Sequence, residues 1–281
     1  MTKKRPALFR GRHFEDVIIL LCMRWYLRYS LSYRDLEEIM AERGLSVDHV
    51  TIWRWVQRYA PILNQRIRRE LRRPNRSWRV DETYIRVAGE WAYLYRAIDS
   101  AGETIDFLLS PKRDLVAAKQ FLRLALSAHP KIRPRVINVD GHPAYARATE
   151  DLKQSGELGR RCRCRTSPYL NNILEQDHRF IKKRINAGLG FRSAEGAWRT
   201  IEGYEAMHAI RKGQIRWLGE GRRGRTTAIH TRSVRYRSVT VGDHYPRSPF
   251  SRYLQQIVRP CGANHQRVKV PHQEISVCLD S

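Results

Sequence analysis

Trp78-Arg79-Val80-Asp81-Glu82-Thr83-Tyr84-Ile85-Arg86-Val87, stopped by Gly89, reads as a β-strand with an aspartate closing its first apolar run. Two more strand-like runs follow at once, Trp91 to Ile98 before Ala101-Gly102 and Thr104 to Leu109 before Pro111. Glycine turns between short alternating runs predict an antiparallel meander. Asp114 then caps a helix in which Leu115, Ala118, Phe121, Leu122 and Ala125 share a face, and Pro130 and Pro134 bracket the break before a strand from Arg135 to Val139. A helix from Pro143 to Lys153, a short strand near Arg161 to Arg165, and helices over 171–185 and 193–217 complete the order.

Three hairpin strands, helix, strand, helix, strand and helices is the element order of the ribonuclease H-like fold, an α/β architecture with a mixed five-stranded sheet. There the first strand lies centrally beside the fourth. Asp81 and Asp140, which closes the run Arg135-Val136-Ile137-Asn138-Val139-Asp140, would therefore sit on neighbouring strands. The stretch Asn171-Asn172-Ile173-Leu174-Glu175-Gln176-Asp177-His178-Arg179-Phe180-Ile181-Lys182 starts a helix expected to pack across them. Its Glu175 and Lys182 are seven residues apart, two turns within about 20°, so they leave one face. Singly, these acids have duller explanations: a strand-end aspartate, an Asp-Gly turn, a glutamate complementing a helix dipole. His178 reads as a helix-surface residue. Together they predict a metal site formed by Asp81, Asp140 and Glu175. Hard oxygen ligands favour Mg²⁺ or Mn²⁺, and two ions about 4 Å apart suit phosphodiester chemistry.

The chain's 281 residues accommodate a catalytic domain and a small module. The net charge of +25 is spread as +8 over residues 1–75, +10 over 76–219 and +7 over 220–281, which points to nucleic acid as partner. A membrane is excluded as the anionic partner. The most apolar run, Val17 to Met23, is too short to span a bilayer, and the Met-Thr-Lys-Lys-Arg start does not resemble a signal peptide. Five cysteines, including Cys162-Arg163-Cys164, suit neither a disulfide framework nor a zinc knuckle, and read as reduced thiols of a cytosolic protein.

Residues 1–75 read as an all-α helix-turn-helix domain. A helix over 14–29 precedes one from Tyr33 to Arg43 with Ser32 as N-cap, Asp35 in its first turn and Gly44 as its stop. Ser46 is expected to cap a third helix from Val47 to Tyr59, with Pro61 beyond its end. Val50, Trp53, Val56 and Tyr59 would face the core, leaving His49, Thr51, Arg54 and Arg58 outward toward a major groove. Lys3-Lys4-Arg5 and the basic run containing Arg68, Arg69, Arg72 and Arg73 would add phosphate contacts, with residues 72–76 as a linker to a catalytic domain over 76–219.

With these residues in view, the chain resembles the DDE transposases of bacterial insertion sequences, most closely the insertion sequence six family. The matching segments are residues 9–14, 25–36, Trp78 to Ile85, Asp140-Gly141-His142-Pro143-Ala144-Tyr145, the Glu175 helix, and Ile210-Arg211-Lys212-Gly213-Gln214; 34 residues separate Asp140 from Glu175, the spacing expected for that family. The resemblance implies that Asp81, Asp140 and Glu175 bind the metal ions, with Lys182 as the basic residue following the glutamate. It also implies a helix-turn-helix that reads terminal inverted repeats, strand transfer into target DNA, replicative transposition through cointegrates, a homo-oligomer on paired ends, and a bacterial cytoplasmic setting on nucleoid DNA. From about Glu220 the family pattern stops, and the Arg-, Ser- and Thr-rich remainder reads as a poorly ordered or atypical basic tail. Competing readings are a DNA-binding protein that occupies repeats without cutting, and a structure-specific nuclease on the same fold.

Overall fold

The computed structural model describes residues 7–167, 172–188 and 190–216. The basic cluster at 3–5, Asn171 and the tail from 220 lie outside the described residues.

One five-stranded sheet forms in the order β3-β2-β1-β4-β5, from β1 (Ser77–Val87), β2 (Glu90–Asp99), β3 (Thr104–Ser110), β4 (Val136–Val139) and β5 (Arg163–Thr166). The meander is antiparallel, and β4 and β5 add in parallel with β1 central, as the element order requires for a ribonuclease H-like core. Helices α4 (Leu115–Ala128) and α5 (Pro143–Gln154) cover one face, where Trp78, Val80, Tyr95, Phe121, Ile137 and Tyr145 pack. Asp114 caps α4 through the Ala117 N–H, as its sequence predicts. Cys22, Cys162 and Cys164 are free thiols.

The opposite face meets α6 (Asn172–Ala187) and α7 (Ala194–Arg211), and also the N-terminal helices α1 (Asp16–Arg28), α2 (Tyr33–Ala41) and α3 (His49–Glu70). Ile85, Leu94 and Phe107 of the sheet share one apolar core with Leu27, Ile52, Val56, Ile201 and Tyr204. The described residues of the N-terminal helices therefore pack into the same core as this face of the sheet. The expected linker is stitched in as well: Arg72 N–H donates to the Gln214 carbonyl at 2.8 Å, and Arg216 N–H to that of Glu70 at 2.9 Å. At Gly203, α7 passes so close to α1 and α3 that a Cβ would lie 2.6 Å from Leu27 Cδ2 and 2.8 Å from Ala60 Cβ.

Ser32 and Asp35 form the capping box of α2, and Gly44 ends its turn at φ +71°. Three expectations for α3 need correction. Asp48, not Ser46, is its N-cap, and the helix runs through Pro61 to Glu70. Leu63 and Ile67 continue the buried stripe of Ile52, Trp55, Val56, Tyr59 and Ala60, and that packing outweighs the missing proline N–H. Val50 and Trp53, expected in the core, are exposed instead.

Candidate active site

β1 and β4 pair in parallel from Ser77↔Val136 to Arg79↔Asn138, and the same register continued two residues sets Asp140 beside Asp81. One carboxylate oxygen each from Asp81, Glu82 and Asp140 lie within 4.8 Å of one another. Glu82 was not anticipated, because alternation along a strand sends adjacent side chains to opposite faces. It is held in place by Tyr145, whose hydroxyl donates to one oxygen, and by Arg113, whose Nε donates to the other. Arg113 Nη2 also reaches Asp140 Oδ2 at 3.1 Å. The Asp140-Gly141 turn requires glycine: φ is +107°, and a Cβ would meet the Thr166 methyl at 3.0 Å.

Burial, with Glu82 and Asp140 close by, pushes the Asp81 carboxyl up to about 7. Three acids facing one guanidinium leave a site short of positive charge. Its donors are all hard oxygens, so it fits Mg²⁺ or Mn²⁺.

His178, expected on the helix surface, is instead buried, with Nδ1 3.9 Å from Asp81 Oδ2. Burial and then Arg96 push its imidazole down to about 3, so it is neutral at physiological pH. Glu175 lies almost one turn before His178 and is exposed; it is not among the acids whose oxygens approach one another. Lys182, one turn after His178, holds Nζ 4.4 Å over the Tyr84 ring. The fold thus brings Asp81 and Asp140 together, lays His178 and Lys182 along β1, and leaves Glu175 at the open end of α6.

A buried network fixes α6. Asp177 accepts from Arg96 Nη2 at 3.3 Å, pairs with His208 Nε2 at 3.0 Å and takes a further bond from Lys212 Nζ. Arg96 also grips Glu205, at 2.7 Å through Nε and 3.0 Å through Nη2. Burial alone would raise the Asp177 carboxyl, but Arg96, His208 and Lys212 outweigh it and hold the group well below the usual carboxylate range.

Of the residues expected to contact DNA, Arg54, Arg58, Arg69 and Arg73 are exposed. Arg54 and Arg58 line a concavity with Gly11, Arg12, Trp53 and Arg199. The others are engaged within the chain. The His49 ring lies 2.7 Å from Glu37, and the Thr51 hydroxyl donates to Asp48 at 2.6 Å, completing the cap of α3. Arg68 pairs with buried Asp106 and lies over Phe107, clamping α3 to β3.

A family model described as a DDE domain matches residues 75–214, spanning all five strands and both central acids. The transposase for insertion sequence-like element IS431mec of Staphylococcus aureus is 41% identical over 210 residues, covering 75% of this chain and 91% of that protein. The chain belongs to the DDE transposases of bacterial insertion sequences. The transposase is also 40% identical, over the same share of each chain, to the transposase of insertion sequence element IS257 in transposon Tn4003 from Staphylococcus aureus. Among solved structures, it is similar to the HTLV-2 integrase catalytic core domain in complex with magnesium (19% identity, TM-score 0.39, 52% of this chain and 95% of that one). It is also similar to the Mos1 strand transfer complex (14% identity, TM-score 0.34, 70% and 75%). As a DDE transposase, it is a polynucleotidyl transferase that uses divalent metal and acts on DNA. No helix among the described residues is long and apolar enough to cross a membrane.

Proposed function

We propose that this transposase binds the inverted repeats at its element's ends, cleaves there and transfers the strand to target DNA, transposing replicatively through cointegrates. The observation that carries this reading is the meeting of Asp81, midway along β1, with Asp140, just past the end of β4, in a site short of positive charge. Asp81, Asp140 and Glu175 would hold two Mg²⁺ or Mn²⁺ ions, supplying Lewis-acid activation of the attacking oxygen and stabilisation of the leaving oxygen. For Glu175 this requires the open end of α6 to be drawn toward the aspartates. Lys182 would meet the reacting strand's phosphate, and neutral His178, 3.9 Å from Asp81, would adjoin that carboxylate without adding a positive charge to compete with the metal. Arg54 and Arg58 are offered as the reading face of α3, with Arg69 and Arg73 on phosphates; His49, Thr51, Arg68 and Arg72 support that surface. Two ends must be handled together, which calls for a homo-oligomer, and the natural setting would be the bacterial cytoplasm.

The test is nicking and joining of DNA carrying the element's own ends, with Mg²⁺ or Mn²⁺. Asp81→Asn is expected to lower strand transfer by about 10³-fold or more while end binding in a mobility-shift assay persists. Undiminished activity in that variant rejects the site. A wild-type protein that shifts end DNA but cuts with no divalent ion would instead favour repeat occupancy without catalysis.

A further inference from the structure

The far end of the β1–β2 hairpin exposes aromatic surface that the fold does not use. Tyr84 is 57% exposed and Trp91 51%, the two most exposed large aromatic side chains among the described residues. Their rings meet edge to face at 5.2 Å. Each carries a cation: Lys182 Nζ lies 4.4 Å from the Tyr84 centroid and Arg86 Cζ 4.9 Å from that of Trp91. Thr83, Ile85 and Val87 point the other way and are buried. Packing thus accounts for one set of alternate β1 residues and not for Tyr84 and Arg86.

Side chains two apart on a strand leave the same face, roughly 7 Å from one another. Glu82, Tyr84 and Arg86 therefore form one row, and Glu82 is the row's member in the acid cluster. The patch begins where that cluster ends. Two π-faces beside two cations match a ligand with flat apolar rings strung on anionic links, which describes single-stranded nucleic acid. Stacked bases inside a duplex do not offer their faces. A protein partner would also cover aromatic surface, but it would not explain cations seated on both rings.

We propose that Tyr84 and Trp91 are a stacking platform for an unpaired DNA base beside the strand handled at Asp81 and Asp140, with Arg86 and Lys182 meeting the flanking phosphates. This rests on the reading that DNA reaches the acid pair, and it adds a site for melted or single-stranded DNA next to the cut.

The experiment uses the full chain, in EDTA so that nothing is cut. It compares a labelled blunt duplex of the element end with the same duplex carrying a short single-stranded extension containing 2-aminopurine. Wild type should prefer the extended DNA and quench the 2-aminopurine. Tyr84→Ala with Trp91→Ala should weaken extended-DNA binding between about 5-fold and 100-fold and leave blunt-duplex affinity within about two-fold. Tyr84→Phe with Trp91→Phe should retain the preference, and keeps the test meaningful should the alanine protein fold poorly. Equal wild-type affinity for the two DNAs overturns the platform alone; failure to bind either overturns DNA recognition as well. Retained preference in the alanine variant, with loss of self-association by sedimentation, would reassign the patch to a protein contact and overturn the proposal.

Discussion

Two carboxylate clusters border α6, and they differ in how their charge is met. Asp177 and Glu205 are buried with Arg96 and Lys212, two acids against two fixed cations, and His208 fills the remaining contact. Asp81, Glu82 and Asp140 have Arg113, whose side chain is 38% exposed, as their paired cation. The first cluster is balanced and pins a helix; the second is left in deficit. Burial raises a carboxyl in both settings, yet Asp177 ends below the ordinary range and Asp81 well above it. The supply of positive charge, not burial, separates an acid that holds structure from one that can take a metal.

The comparison breaks most easily on stability. Asp177→Ala strands Lys212, leaves Arg96 with Glu205 alone and should cost about 3–5 kcal/mol, read from urea unfolding at neutral pH without metal. Asp81→Ala removes repulsion and should change stability by about 1 kcal/mol or less, or raise it. The reverse ranking would sink the distinction.

Acid titration offers a middle-sized test. Burial pushes His208 from its ordinary value of 6.5 down to about 4, so the unfolded chain takes its proton first. Its contribution is complete above pH 6.5 and is lost as pH falls through 4, about 3 kcal/mol. The depressed Asp177 acts in the same sense at still lower pH. His178, pushed down to about 3, acts in the same sense over this range and Asp81, raised to about 7, in the opposite one; chemical denaturation from pH 7 to 4 should therefore show wild type losing stability relative to His208→Gln. An unchanged slope would remove His208 from the balanced cluster.

The smallest effect concerns Arg113. Removing the cation that partly satisfies the deficient cluster should let Mn²⁺ bind about 2- to 5-fold tighter to Arg113→Gln, measured calorimetrically. Weaker binding would mean that Arg113 organises the acids rather than competing for them.

How far the sequence reached follows from where each partner lay. Asp81 and Asp140 were legible because strand order alone makes them neighbours, and the observed register, carried two residues past Arg79↔Asn138, reaches that pair. The turns at Gly44, Asp114 and Ser32 were legible because caps are local chemistry. Glu82 was hidden by strand alternation, and His178 by the habit of reading polar helix residues as solvated. Arg96 sits inside an apolar strand run, and its partners come from 81 and 109 residues away, beyond any periodicity. Pro61 misled because a proline rule was weighed without the apolar stripe that continues past it.

The crossing at Gly203 bears on how such enzymes can be re-engineered. With no space for even a methyl between α7 and the two helices it meets, the putting-in of a foreign N-terminal segment from a distant relative would jam or hollow that contact. Because α7 also carries Glu205 and His208, the damage would spread to the helix bearing Lys182. Under the proposed reading of element ends by α3, a change of specificity is therefore better attempted by swapping single outward side chains than by grafting whole helices.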